Sequence, residues 1–177
     1  LPTGGGKSLC YQLPAIILEG TCLVISPLLA LMRDQLQSLQ ALGIEAELLS
    51  SDLDEFEEET VYNRCKEGLT KVLFVSPERL QNQLFLRNIQ EIHISFIAVD
   101  EAHCISEWGQ DFRPSYQNIK KFRQDFKNVP CLAMTATATN QVVDEISIKL
   151  GLHQPQIFKQ SFRRDNLNII VGNTSDK

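Results

Sequence analysis

Four nearly unbroken apolar runs restrict this 177-residue chain more than any other feature: Cys22 to Ile25, Lys71 to Val75, Ile94 to Val99 and Cys131 to Met134. Apolar runs without polar alternation read as strands buried on both faces, and such strands belong to parallel sheets covered by helices on each side. The intervening segments supply the helices. Leu28, Leu31, Met32, Gln35, Leu36, Leu39 and Leu42 recur at helical steps and stop at Gly43. Leu9 to Leu18 is helix-forming, is interrupted by Pro14, and stops at Gly20.

The other elements follow the same rules. Asp54 to Gly68 is an acidic helix, with Asp54, Glu55, Glu57, Glu58 and Glu59 at the end where the helix dipole favours negative charge. A helix is expected after Ser76-Pro77 through about Asn88. Another spans Pro114 to Phe126 with Tyr116, Ile119, Phe122 and Phe126 on one stripe, and a third spans Thr139 to Leu150. Ala46 to Leu49, Ile157 to Phe162 and Leu167 to Val171 read as further strands. The pattern is an α/β fold with a mostly parallel sheet and helices on both faces. Chemistry in such folds gathers at the C-terminal ends of the strands. Ser26-Pro27, Ser76-Pro77, Asp100-Glu101 and Thr135 to Thr137 all follow strands in this way.

Composition removes several function classes. No apolar run approaches the roughly 20 residues of a membrane span and no basic-then-apolar leader opens the chain, which is the pattern of a cytoplasmic protein. The five cysteines are scattered without a C-x-x-C pair, so neither a zinc site nor a redox couple is indicated. The net charge of -5 makes any nucleic-acid contact local. Lys120, Lys121, Arg123 and Lys127, like Arg163 and Arg164, read as solvated charge runs.

Two motifs carry chemistry. Thr3-Gly4-Gly5-Gly6-Lys7-Ser8 runs straight into a helix. Its glycines let backbone amides approach phosphate oxygens, Lys7 adds a point charge, and the Ser8 hydroxyl is of the kind that ligates Mg²⁺. Leu1 stands where the P-loop pattern has its first glycine. Asp100 ends an apolar strand, where a carboxylate reaches such a metal, and Glu101 beside it can orient or deprotonate a water. His103 is open to either a functional or a structural role.

These motifs resemble the two nucleotide motifs of superfamily 2 helicases, and longer strings resemble the RecQ family of DNA helicases. They are Pro2 to Pro14, Ala102-His103-Cys104-Ile105-Ser106, Trp108-Gly109 with Asp111 to Pro114, Ser26-Pro27-Leu28 with Asp34-Gln35, Ser76 to Leu80, Thr135 to Ala138, and Ser161 to Leu167. The resemblance implies a RecA-like P-loop fold for residues 1–160 as a first motor lobe, with residues 161–177 as an exit toward a second lobe. It implies ATP and Mg²⁺ as cofactors, single-stranded and duplex DNA as partners, 3′-to-5′ polarity, and a bacterial cytoplasm or a eukaryotic nucleus as the compartment.

By the same resemblance, Thr3, Gly4, Gly5, Gly6, Lys7 and Ser8 bind nucleotide phosphates. Ser8 and Asp100 hold the metal, and Lys7 and Glu101 are catalytic. Ser26, Gln35, Pro77, Glu78 and Arg79 contact the DNA backbone. Trp108, Phe112 and Arg113 form a DNA-sensing loop, and His103, Thr135 and Thr137 couple the two sites. Stacking and phosphate contact suit the residue types of that loop. Gln110 departs from the family's usual His. The native chain is expected to extend upstream with a strand leading into the phosphate loop, and hydrolysis to need arginines from a second lobe. An unrelated NTPase or kinase, and a non-enzymatic nucleic-acid module, remain as alternatives.

Overall fold

The computed structural model describes residues 6–109 and 111–159. Five strands, β1 (Thr21–Ile25), β2 (Ala46–Leu49), β3 (Val72–Val75), β4 (Ile94–Val99) and β5 (Cys131–Ala133), form one sheet in the order β2-β3-β1-β4-β5. Every pairing is parallel. The helices are α1 (Leu9–Ile17), α2 (Leu29–Ala41), α3 (Glu55–Lys66), α4 (Gln83–Ile89), α5 (Asn118–Arg123) and α6 (Asn140–Leu150).

Alternation along the strands divides the core in two. Cys22, Val24, Val72, Phe74, Phe96 and Ala98 pack with Tyr11 and Ala15 of α1 and Met32 and Leu39 of α2. Leu23, Ile25, Leu73, Val75, Ile97 and Val99 pack with residues of α3 to α6, among them Tyr62, Phe85, Phe122 and Ile146. The apolar runs lack polar alternation because both faces are covered. Each fully buried Leu, Ile or Phe contributes about 1.5–3 kcal/mol, and β1 and β3 are buried at every position.

Local signals set the boundaries. Asp54 caps α3 through a reciprocal capping box with Glu57. Gly20 adopts φ +92 and a Cβ there would lie 2.4 Å from the His93 carbonyl oxygen, so the turn between α1 and β1 admits only glycine. Pro14 lies inside α1 without ending it.

Three expectations are corrected. The segment after Ser76 is not one helix: a 3-10 turn covers Pro77–Gln81, and Asn82 starts α4 by accepting the Phe85 N–H. Pro114 to Phe126 is α-helical only over α5, with 3-10 turns at Pro114–Gln117 and Gln124–Phe126. Residues 157–159 are in no strand. Apolar content alone does not make a strand without a neighbour to pair with, and Ile157 and Phe158 are exposed. The rest of that expected strand, and the one at Leu167 to Val171, fall outside the described residues. No helix among the described residues is long and apolar enough to cross a membrane.

Candidate functional site

The sheet topology brings the polar strand ends to one edge. The chain leaves β1 toward β2 on one side and later returns to β4 on the other, so the crevice between β1 and β4 is the switch point where ligands bind in open α/β sheets. Ser26 and Asp100 close β1 and β4 there, and Ser76 closes β3.

Gly6, Lys7 and Ser8 lead into α1 in a tight turn, with the Leu9 N–H donating to the Gly6 carbonyl and the Gln12 N–H to that of Ser8, each at 3.0 Å. Thr3, Gly4 and Gly5 lie outside the described residues. The Lys7 ammonium is 3.8 Å from Glu101 Oε1. Glu101 holds a left-handed backbone, φ 44 and ψ 45, at the head of a 3-10 turn over Ala102–Ile105. A non-glycine residue in that conformation is strained. The strain is anchored on both sides: the Asp100 Oδ1 accepts the Glu101 N–H at 2.9 Å, and the Ala102 N–H donates to the Met134 carbonyl at 2.9 Å.

His103 is buried and central. Its Nδ1 lies 2.8 Å from the Thr135 hydroxyl and 3.3 Å from Glu101 Oε2, and its Nε2 lies 3.8 Å from Asp111 Oδ2. The Cys104 sulfur near Nε2 and the Glu101 carboxylate push its pKa up to about 10, so the ring is charged at neutral pH. Glu101 is correspondingly held below its ordinary range, first by the His103 hydrogen bond and then by the Lys7 charge, against the effect of burial. Asp100 is pushed up, first by burial and then by the Glu101 charge. The Thr135 hydroxyl also donates to the Thr137 carbonyl, so hydrogen bonds run from His103 through Thr135 to Thr137.

Trp108, Phe112 and Tyr116, spaced by four, do not share a helix face. Trp108 is 70 % exposed and Phe112 37 %, whereas Tyr116 is buried, with its hydroxyl donating to the Asp100 carbonyl at 2.8 Å. The loop is stapled to the acidic turn. The Gly109 N–H donates to the Ser106 carbonyl at 3.0 Å, and the Arg113 N–H to that of Cys104 at 2.8 Å. The Arg113 guanidinium reaches the Pro27 carbonyl at 3.2 Å.

Lys149 was not singled out in the sequence, and Asp111 and Gly109 stood there only as motif residues without these contacts. Lys149 of α6 bonds the Ile105 carbonyl at 3.3 Å and Glu107 at 3.2 Å, and its ammonium lies 5.9 Å from the centre of the Phe112 ring. Asp111 faces His103. Gly109 allows the close approach, since a Cβ there would sit 2.5 Å from the His103 carbonyl oxygen. The Gly109→Ala variant should therefore lose about 1–3 kcal/mol of stability, the usual cost of overpacking. Trp108 is the only tryptophan, so its emission should shift as the loop is pushed off the turn. Unchanged urea unfolding and unchanged emission would show that the contact yields freely.

The remaining positions are turned inward. The Gln35 side chain accepts the Tyr11 hydroxyl, and Ser26 is buried. Arg79 pairs with Glu58 and donates to the Ser50 carbonyl at 2.7 Å. Pro77 is buried, while Glu78 is exposed beside a cavity of about 540 Å³ that Pro27, Ser50, Ser76 and Arg79 also line.

A family model described as DEAD/DEAH box helicase matches residues 1–146. The chain belongs to this family. The RecQ resemblance read from its motifs also stands. The chain is 43% identical over 180 residues to the ATP-dependent DNA helicase RecQ of Bacillus subtilis, covering 100% of this chain and 30% of that protein. It is 45% identical over 167 residues to the RecQ of Pasteurella multocida, covering 94% and 26%. With the RecQ-like DNA helicase BLM of Xenopus laevis it shares 44% over 178 residues, covering 97% and 13%. The chain thus spans less than a third of these relatives.

Solved helicases share its fold. The Hef helicase domain of Pyrococcus furiosus superposes with a TM-score of 0.64 at 23% identity, over 85% of this chain and 32% of that one. The helicase Lhr of Mycobacterium smegmatis, solved with ssDNA and AMP-PNP, gives 0.58 at 19%, over 82% and 21%. The fold of this DEAD/DEAH box chain is RecA-like.

Proposed function

We propose that this chain is the first motor lobe of a RecQ-type helicase that couples ATP hydrolysis to 3′-to-5′ movement along single-stranded DNA and to duplex unwinding. The observation that carries the reading is the short segment from Asp100 to Arg113. One end of it faces Lys7, and the other bears exposed aromatic rings.

Residues Thr3 to Ser8 receive the nucleotide phosphates at the start of α1, where amide groups and the helix dipole favour anions. The Ser8 hydroxyl and the Asp100 carboxylate are hard oxygen donors suited to Mg²⁺, which when bound neutralises phosphate charge. The residues fit the ion, because a carboxylate and an unpaired buried hydroxyl, that of Ser26, lie together at the crevice. Glu101, ionised and oriented by His103, accepts the proton of the attacking water. Lys7 divides its charge between Glu101 and the phosphates.

Trp108 and Phe112 stack bases, and Arg113 lies beside them for backbone contact. Because Ser26 and Pro77 are buried and the Gln35 and Arg79 side chains are engaged by Tyr11 and Glu58, DNA contact from those segments runs chiefly through main-chain groups and the exposed rim around Glu78. Thr135, hydrogen-bonded to His103, and Thr137, hydrogen-bonded to Thr135, report the state of the Glu101 turn to the neighbouring lobe. The compartment is the one that holds the DNA.

ATP turnover with and without single-stranded DNA tests the reading. Lys7→Ala should abolish turnover while leaving DNA affinity intact. Trp108→Ala should keep nucleotide binding and lose the DNA stimulation. Wild-type turnover indifferent to DNA would favour an unrelated NTPase, and DNA-dependent function that survives Lys7→Ala would favour a binding module.

A further inference from the structure

Ser26 follows the last residue of β1, and Asp100 follows the last residue of β4. Ile25 pairs with Val99 in this parallel ladder, and the Asp100 N–H donates to the Ile25 carbonyl at 2.9 Å. The register therefore continues with Ser26 opposite Asp100. Alternation turns both side chains to the face that carries Val24, Ala98 and Tyr11.

Ser26 is 2 % exposed, and its hydroxyl has no hydrogen-bond partner among the described residues. A buried hydroxyl without a partner is costly, and native proteins keep few of them without a purpose. The acceptor beside it is the Asp100 carboxylate. One Asp100 oxygen, Oδ1, already takes the Glu101 N–H. The register thus sets the Ser26 hydroxyl beside the carboxylate without a completed bond to it.

We propose that Ser26 is a positioning residue of the metal site: its hydroxyl donates to Asp100 and fixes the carboxylate orientation that meets the divalent cation of the nucleotide. This rests on the metal role proposed for Asp100, and it places Ser26 on the nucleotide side of the crevice instead of the DNA side. Partners that orient a ligating carboxylate are worth 10- to 100-fold in metal affinity in other sites.

The test is a titration with Mn²⁺, a paramagnetic stand-in for Mg²⁺, followed by electron paramagnetic resonance on the intact protein with a non-hydrolysable ATP analogue. Single-stranded DNA affinity is measured in parallel by fluorescence anisotropy. Ser26→Ala should weaken Mn²⁺ binding about 10-fold, and Ser26→Thr, which keeps the hydroxyl, should stay within about threefold of wild type. DNA affinity should not change, and without nucleotide or metal the urea midpoint of Ser26→Ala should not fall, because in that state the hydroxyl has no partner.

Wild-type Mn²⁺ binding by Ser26→Ala, with binding lost in Asp100→Asn, overturns the proposal and leaves the role of Asp100 standing. Loss of DNA affinity with Mn²⁺ binding intact returns Ser26 to the DNA side. Equal losses in the Ala and Thr variants make side-chain volume the cause and also overturn it. Undiminished Mn²⁺ binding by Asp100→Asn removes the reading of Asp100 itself, and the Ser26 proposal with it.

Discussion

Glu101→Gln should lower ATP turnover by about 10²–10⁴-fold, the range over which a positioned acid or base acts, while nucleotide and DNA affinities stay near wild type. The argument rests on charge and position together. His103 and Lys7 both hold the Glu101 carboxylate ionised, so it can accept a proton at neutral pH. Glutamine matches its shape and keeps one oxygen for His103, yet it cannot take a proton. Its left-handed backbone sets where the carboxylate points, and the amide would inherit that direction. The expected signature is a fall in kcat with little change in KM, measured in steady state with saturating single-stranded DNA. A residual rate within about threefold of wild type would contradict a base role at this position.

Residues 1–177 alone should hydrolyse ATP about 10³–10⁵-fold more slowly than a protein that carries the same lobe together with a second one, which is the worth of an arginine finger in P-loop enzymes. Among the described residues no arginine is paired with Asp100 or Glu101. Arg33 pairs with Asp52, Arg64 with Glu45 and Glu47, and Arg79 with Glu58. Arg113 and Arg123 bond the carbonyls of Pro27 and Leu150. That leaves Lys7 as the cation held against Glu101 from the phosphate-loop side. Among the described residues, then, no guanidinium stands ready for transition-state charge on the outer phosphate. The comparison is a single-turnover measurement on the two proteins, and brisk DNA-stimulated hydrolysis by the lone lobe would refute it.

The sheet was legible because its signal is local. Cys22 to Ile25 and Val72 to Val75 are apolar at every position, and only a strand with both faces covered gives such a run a stable home. Asp100 and Glu101, as a pair of acids at a strand end, are common by chance, and they drew attention only because the chain also carries a Gly-Gly-Gly-Lys-Ser loop whose metal needs an acid. Asn82 was harder to read: its backbone N–H closes the 3-10 turn on the Arg79 carbonyl while its side chain starts α4, and a window spanning Pro77 to Asn88 sees only one periodic stretch. The contacts of the Trp108 to Arg113 loop were not legible at all. Lys149 meets Ile105 and Glu107 across a long stretch of sequence. Gly109 follows Trp108 as an ordinary loop glycine, until the His103 carbonyl is seen where its Cβ would be. The inward turn of Gln35 and Arg79 was hidden for the same reason, since Tyr11 and Glu58 are distant in the chain.

The staples between Gly109 and Ser106 and between Arg113 and Cys104 give the segment from Glu101 to Arg113 the mechanics of a lever. Its fulcrum is the 3-10 turn at Ala102–Ile105, which is buried throughout and pinned by the Ala102 N–H to Met134, the residue after β5. Trp108 lies on the long arm, in solvent, and Glu101 on the short arm, beside Lys7. Ala102, Cys104 and Ile105 of that turn belong to the hydrophobic core, so a push on the indole should reach the Glu101 carboxylate only through a packed segment, and what moves one arm should be felt in the packing between them.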